Sequence, residues 1–293
     1  MSILITGASG YIGSNLVKQL LKEGRRDIIG VVNNHDLTLD NVKIIRSDLT
    51  NKDNIRELLK NDIDTIIHLA GQVYNKDIPN EVYLKYNFNI TENLLETARI
   101  YNVSRFIFSS SMAVYGISDD WFNPLYLPID EKHPIKPYEY YGLSKYLAEV
   151  LCSFYNNRYG IDITILRYSR VYGPESKGFV TKSIKNALAN KDIIINRDIT
   201  TDFVFIDDVV YATLKSLSLK GFNVFNIGSG EEKRLSDIAN LIVRELNSSS
   251  NIEIINKEGS RFYYDISKAR RELCYMPLDI KNGIKKCIMY YRI

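Results

Sequence analysis

Short, continuously apolar runs alternate with amphipathic stretches through the first two-thirds of the chain. That alternation limits the available folds more than any other feature. Ile3–Thr6, Ile28–Val32, Val42–Ile45, Asp64–Leu69 and Arg105–Ser109 are rich in Ile, Val and Phe and read as strands. Between them, Tyr11-Ile12, Leu16-Val17 and Leu20-Leu21 recur at helical spacing, and Lys52–Leu59, Glu81–Tyr101 and Tyr138–Arg158 read as further helices. Strands that are apolar on both faces need cover on both, so the order predicts an α/β fold with a doubly wound parallel sheet. Such a sheet presents its ligand chemistry at the carboxyl ends of its strands. After Leu166 the rhythm loosens, with Gly173-Pro174, Gly178, Gly221 and Gly228-Ser229-Gly230 as punctuation and Asn247–Asn251 as an exposed loop. A length of 293 residues accommodates about two domains. We expect a sheet domain over residues 1–169 and a smaller C-terminal α/β lobe over 170–293, some of whose segments return to the first.

Composition removes several classes of function. The net charge is only +3 and no basic block occurs, which argues against nucleic acid or an anionic membrane surface as partner. Cys152, Cys274 and Cys287 are far apart, no C-x-x-C occurs, and His35, His68 and His133 are scattered. No metal site is expected, and a reducing cytoplasm fits best. The chain enters a strand at once, at Ser2–Thr6, so no signal peptide is expected. No apolar stretch approaches the roughly 18 residues of a membrane helix.

The first strand runs directly into Gly7-Ala8-Ser9-Gly10-Tyr11-Ile12-Gly13, which opens the first helix. Glycines here permit a tight turn and let the main-chain N–H groups of Gly7, Gly10, Tyr11, Ile12 and Gly13 approach a pyrophosphate. The helix N-terminus adds roughly half a positive charge. The second strand ends at Asn33, which can hydrogen-bond a ribose diol without repelling a 2′-phosphate as a carboxylate would. A dinucleotide of the NAD or NADP kind is therefore expected, and Asn33 leaves the two open.

Tyr141 and Lys145 open a helical stretch at i, i+4 spacing, which puts phenol and ammonium on one face. A free phenol has a pKa of about 10, and lowering it by about 3, roughly 4 kcal/mol, makes it a base near neutrality. One cation at ~5 Å in an effective dielectric of about 20 supplies roughly 3 kcal/mol, and an oxidised nicotinamide would supply the rest. The strand Phe106-Ile107-Phe108 runs into Ser109-Ser110-Ser111, at the same sheet edge as the glycine turn. A serine there can hydrogen-bond both a substrate hydroxyl and the tyrosine oxygen.

With these motifs in hand, the chain resembles the extended short-chain dehydrogenase/reductases, specifically the NAD-dependent epimerase/dehydratase family with its Rossmann domain, which acts on nucleotide sugars. Besides the glycine turn and the Tyr–Lys pair, the resemblance rests on Asp48-Leu49, His68-Leu69-Ala70-Gly71, Asn87 with Thr91, and Ser109–Gly116. It continues through Arg167–Pro174, Asp202–Val209, Phe225–Gly230 and Asp265–Ala269. It implies Asp48 and Leu49 near adenine, Leu69, Ala70 and Gly71 along the pyrophosphate and ribose, Asn87 at the cofactor, and Ser109 and Tyr168 beside the nicotinamide half. Ser111, Tyr141 and Lys145 would be catalytic. The resemblance also implies a C-terminal lobe closing over a nucleotide-diphosphate sugar, and a homodimer packed through the helices at Glu81–Tyr101 and Tyr138–Arg158.

Three departures from the family pattern bear on substrate. Dehydratases of the family place Asp-Glu after the catalytic hydroxyl residue, and this chain has Met112-Ala113, which cannot protonate a departing hydroxyl. Many relatives have Asn at the position of Arg170 and an arginine at that of Thr201. Arg170, Arg197 or Arg261 is then the candidate cation for the substrate diphosphate. The stretch Gly259–Asp265 is shorter than in typical relatives. The expected activity is 4-epimerisation of a UDP-sugar through a 4-keto intermediate with bound NAD. The alternatives are an NADPH-dependent reductase of a 4-keto sugar nucleotide and a non-catalytic nucleotide-binding relative.

Overall fold

The computed structural model of the chain describes residues 2–118, 122 and 124–292. Its elements run β1 (Ser2–Thr6), α1 (Tyr11–Lys22), β2 (Ile28–Val32), β3 (Lys43–Arg46), α2 (Lys52–Leu59), β4 (Ile63–His68), α3 (Asn80–Tyr83), α4 (Ile90–Ile100), β5 (Arg105–Ser111), α5 (Tyr140–Tyr159) and β6 (Asp162–Tyr168). They continue through β7 (Arg170–Tyr172), α6 (Phe179–Leu188), β8 (Ile193–Arg197), β9 (Thr200–Phe205), α7 (Ile206–Lys215) and β10 (Phe222–Ile227). The last are β11 (Glu232–Arg234), α8 (Leu235–Leu246), β12 (Ile252–Asn256), α9 (Ser267–Leu273) and α10 (Ile280–Arg292). The chain forms two compact units. The first combines Met1–Tyr115, Ile135–Arg167 and Thr213–Phe225, and the second Gly116–Pro134, Tyr168–Ala212 and Asn226–Ile293.

The first unit is built on a seven-stranded sheet in the order β10-β6-β5-β4-β1-β2-β3. The pairs β3–β2, β2–β1, β1–β4 and β4–β5 are all parallel, as the apolar strand runs predict. Leu4, Ile29, Val31, Ile66, Phe106, Phe108, Ile163 and Ile165 from the strands share a core with Leu58, Leu94, Leu95, Ala98, Ala148 and Cys152 from α2, α4 and α5. Each large side chain taken out of water there contributes roughly 2 kcal/mol. The helix expected over Glu81–Tyr101 is interrupted: α3 and α4 are joined by a wider, π-helical turn at Leu84–Asn89. Such turns occur frequently at functional sites, and this one contains the buried Asn87.

The second unit contains a three-stranded sheet, β11-β9-β7, and a parallel pair of β12 with β8. Its anchor is Asp202 on β9, whose fully buried carboxylate accepts from the backbone N–H groups of Ser229 (2.7 Å), Gly230 (3.1 Å) and Tyr264 (3.2 Å) and from the Ser229 hydroxyl (2.9 Å). Burial pushes its pKa up to about 6 against those four donors. Residues 116–134, which the sequence places in the first domain, belong to this unit. Ile129 bridges to Tyr264, and its carbonyl accepts from Asn226 Nδ2 at 3.0 Å. Among the described residues, no helix is long and apolar enough to cross a membrane.

Candidate active site

Tyr141 is the second residue of α5, and Lys145 follows one turn later on the same face. β5 extends two residues beyond the expected Ser109, so that Ser110 and Ser111 are still strand. The Ser111 hydroxyl lies near enough to the Tyr141 phenol to draw its pKa down and accepts from the Ala113 backbone N–H at 3.2 Å. Lys145 is buried, donates to the Ser109 carbonyl at 2.8 Å, and holds its ammonium 4.9 Å from the centre of the Phe108 ring. Ser111 thus stands at the end of β5, and Tyr141 and Lys145 on the first turns of α5. The rings of Tyr83 and Tyr74 lie 6.0 and 6.4 Å from that of Tyr141. The Tyr83 hydroxyl fixes the adjoining loop by donating to the Asn75 carbonyl at 2.6 Å.

Burial holds the Tyr141 phenol above its ordinary value, with the Ser111 hydrogen bond pulling the other way. Burial brings Lys145 down to about 8, while Glu149 one turn later pulls upward. The phenol therefore keeps its proton near neutrality by itself, and base function requires further positive charge beside it.

The glycine turn lies at the carboxyl end of β1. Gly7 has φ +70°, and a Cβ there would come within 2.7 Å of the Ala70 backbone nitrogen. A side chain there would run into the backbone that follows β4. A Cβ on Gly13 would collide with the Gly7 carbonyl. No side chain caps α1, whose N-cap is Gly10, and its first turn holds no acidic residue. The uncapped N–H groups suit an anion such as a pyrophosphate, so these residues fit a dinucleotide.

Behind the turn runs a line of buried polar groups that sequence reasoning does not reveal. Thr6 Oγ1 accepts from the Ala70 N–H at 3.2 Å and donates to His68 Nδ1 at 2.7 Å. His68 Nε2 then donates to Thr91 Oγ1 at 3.1 Å, and the Thr91 hydroxyl donates to the Asn87 carbonyl at 2.6 Å. The His tautomer follows from Thr91 having spent its proton. Asn87 Nδ2 donates to Ser144 Oγ at 3.0 Å, and Ser144 donates to the Tyr141 carbonyl at 2.8 Å. The line ties the ends of β1 and β4 to the first turn of α5. Only the short sequence pattern around His68, Asn87 and Thr91 hints at it, since its partners are up to 64 residues apart.

The other expected cofactor residues fall as follows. Leu69, Ala70 and Gly71 follow β4 directly, with Asn87 Oδ1 accepting from the Gln72 N–H at 2.7 Å. Asn33 is exposed just past β2. Asp48 uses one carboxylate oxygen on the Thr50 N–H and hydroxyl, both at 2.9 Å, and Leu49 beside it is buried. Tyr168 ends β6, is buried, and belongs to the second unit. The three candidate substrate arginines stand on separate stretches of that unit. Arg170 donates to Thr201 Oγ1 at 3.0 Å, and Arg197 to the Glu258 carbonyl at 3.2 Å. Arg261 makes a two-pronged pair with Glu232 at 2.6 and 2.9 Å. Arg170 therefore lies against the residue that replaces the family's usual arginine.

The model of the NAD dependent epimerase/dehydratase family matches residues 3–228. The chain belongs to that family. A putative UDP-glucose 4-epimerase of Methanocaldococcus jannaschii is 36% identical to this family member, over 99% of the chain and 98% of the relative. A UDP-glucuronate 4-epimerase of Thermodesulfobacterium geofontis is 29% identical over 97% and 94% of the two chains. Among solved structures, UDP-glucose 4-epimerase of Thermotoga maritima with UDP-glucose superposes with a TM-score of 0.90 at 26% identity, covering 100% of this chain and 99% of that one. UDP-glucuronic acid 4-epimerase of Bacillus cereus, in complex with UDP-glucuronic acid and NAD, gives 0.86 at 30% identity with the same coverage. Like them, this epimerase/dehydratase family member carries its site on a mostly parallel sheet flanked by helices.

Proposed function

We propose that the chain is a nucleotide-sugar epimerase, inverting C4 of a UDP-sugar with a resident NAD. The observation that carries this reading is the placement of the Ser111 hydroxyl, at the end of β5, beside the Tyr141 phenol, one helical turn before an ammonium anchored on Ser109. Gly7, Gly10, Tyr11, Ile12 and Gly13 would hold the pyrophosphate of NAD, and Leu69, Ala70, Gly71 and Asn87 would line its course to the nicotinamide end. When bound, NAD supplies a reversible hydride acceptor and the extra positive charge that the buried phenol needs. Tyr141 takes the proton of the 4-hydroxyl as the alcohol is oxidised to a ketone, and returns it once the ketone has presented its other face. Ser111 donates a hydrogen bond to the same substrate oxygen and steadies its developing charge. Lys145 holds positive potential beneath the phenol. Met112 and Ala113 offer no acid for expelling a hydroxyl, so the ketone is retained for reduction rather than dehydrated. The 4-epimerases among the relatives support the same reading.

Purified protein given UDP-glucose, UDP-glucuronate or their N-acetylamino counterparts should yield the C4 epimer of at least one, without net consumption of NAD(H). Tyr141→Phe should lower turnover about 10²–10⁴-fold while leaving NAD bound. Turnover should also fall as pH passes about 8, where Lys145 loses its proton. Inertness across UDP-, GDP- and dTDP-sugars, or a Tyr141→Phe protein as active as wild type, would overturn the reading.

A further inference from the structure

Of the three serines that end β5, the proposed reaction draws on the Ser109 carbonyl and the Ser111 hydroxyl and leaves the buried Ser110 without a task. On the β4 side the ladder of β5 ends at Phe108, the partner of His68, so Ser109–Ser111 run on past the end of β4. Alternation along a strand points the Ser110 side chain away from the face that carries Ser109 and Ser111. There its hydroxyl donates to Glu149 Oε1 at 2.5 Å. Glu149 is held in turn, with Arg167 Nε donating to Oε1 at 3.0 Å and Nη2 to Oε2 at 2.6 Å. The third guanidinium nitrogen, Nη1, donates to the Tyr115 hydroxyl at 2.7 Å. Tyr115 closes the single tight turn, Met112–Tyr115, that follows Ser111, and it too is buried. Ser111 therefore lies between two tethers, the residue before it and the fourth after it, and both lead to one buried ion pair. Such a pair adds little net stability, because desolvation offsets the attraction, but the planar fork of arginine on a carboxylate defines geometry closely.

We propose that Ser110 and Tyr115 are positioning residues, which through Glu149 and Arg167 hold Ser111 where its hydroxyl serves the reaction at Tyr141. A strand end that has lost β4 as a neighbour would otherwise shift with the turn that follows it, and a displacement of about 1 Å costs roughly 100-fold in rate. The Ala113 N–H, donating to the Ser111 hydroxyl at 3.2 Å, sets the rotation of that hydroxyl, whereas the two tethers set the place of its backbone. The inference rests on the role of Ser111 in the proposed epimerisation and adds two residues that act only through it.

The test compares Ser110→Ala, Tyr115→Phe and Ser111→Ala with the two doubles that combine a tether change with Ser111→Ala, all in the full chain carrying NAD. Both tether changes remove one hydroxyl and leave the Glu149–Arg167 pair in place. Turnover is read as the C4 epimer formed from UDP-glucose, UDP-glucuronate or their N-acetylamino counterparts. Each tether variant should lower kcat about tenfold or more, with KM and NAD content within about twofold of the wild type. In the Ser111→Ala background either change should cost less than about twofold, since a residue acting through Ser111 has nothing left to position. Equal losses in the two backgrounds overturn the proposal. So do wild-type kcat values in the single variants, or turnover lost together with NAD or with the far-UV circular dichroism of the folded chain. In each of those cases wild-type turnover stands, and with it the epimerase reading. Inertness of the wild type across sugar nucleotides overturns both.

Discussion

His68 lies fully buried at the end of β4, between two threonine hydroxyls, and burial brings its pKa down from 6.5 to about 3, with Lys145 nearby acting the same way. Below pH 6.5 the unfolded chain takes up a proton that folded His68 refuses. Its contribution to stability is therefore complete at neutral pH and declines as pH falls from about 6.5 towards about 3. The expected loss over that window is on the order of 4 kcal/mol. Denaturant midpoints measured between pH 7 and 4 should fall in the wild type, and more shallowly in His68→Asn. Parallel slopes would show that other groups govern acid stability. The helical spacing of Tyr141 and Lys145 and the strand that runs into Ser111 were legible in the sequence because they are local signals. His68, Ser144 and Asn87 were less so, because each earns its role from a hydrogen-bond partner distant in the chain.

Between α5 and β6, Glu149 and Arg167 form an ion pair at 2.6 Å with side-chain exposures of only 5% and 7%. The Ser110 hydroxyl and the Arg167 Nε also donate to Glu149, at 2.5 and 3.0 Å, and Arg167 Nη1 donates to the Tyr115 hydroxyl at 2.7 Å. The cluster fastens α5 to the end of the strand that carries Ser111. Removing one charge strands the other, so Glu149→Ala should cost about 3–5 kcal/mol of unfolding free energy in urea or guanidinium. The paired Glu149→Met/Arg167→Met replacement should cost markedly less. Equal losses would mean that packing, not charge, dominates. Element identity was readable from periodicity, whereas the wide turn at Leu84–Asn89 was not. One extra residue inside a helix barely disturbs a hydrophobic pattern.

At the scale of the whole molecule the chain passes repeatedly from one unit to the other, and the first unit is completed only by residues 213–225. The sequence suggested that later segments return to the first domain. It gave no sign that residues 116–134 join the second unit, because their attachment rests on isolated contacts such as Ile129 with Tyr264 rather than on a patterned strand. β10 covers the edge of β6, and Ile163 N–H donates to the Gly221 carbonyl at 2.8 Å. A protein cut after Ala212 should therefore leave β6 as a bare, apolar edge and aggregate. Expression of residues 1–212 and size-exclusion chromatography check this, and a soluble monomer would contradict it. During synthesis, the edge strand stays open until Phe222–Ile227 has left the ribosome, so the nascent chain cannot finish its first unit before about half of the second exists.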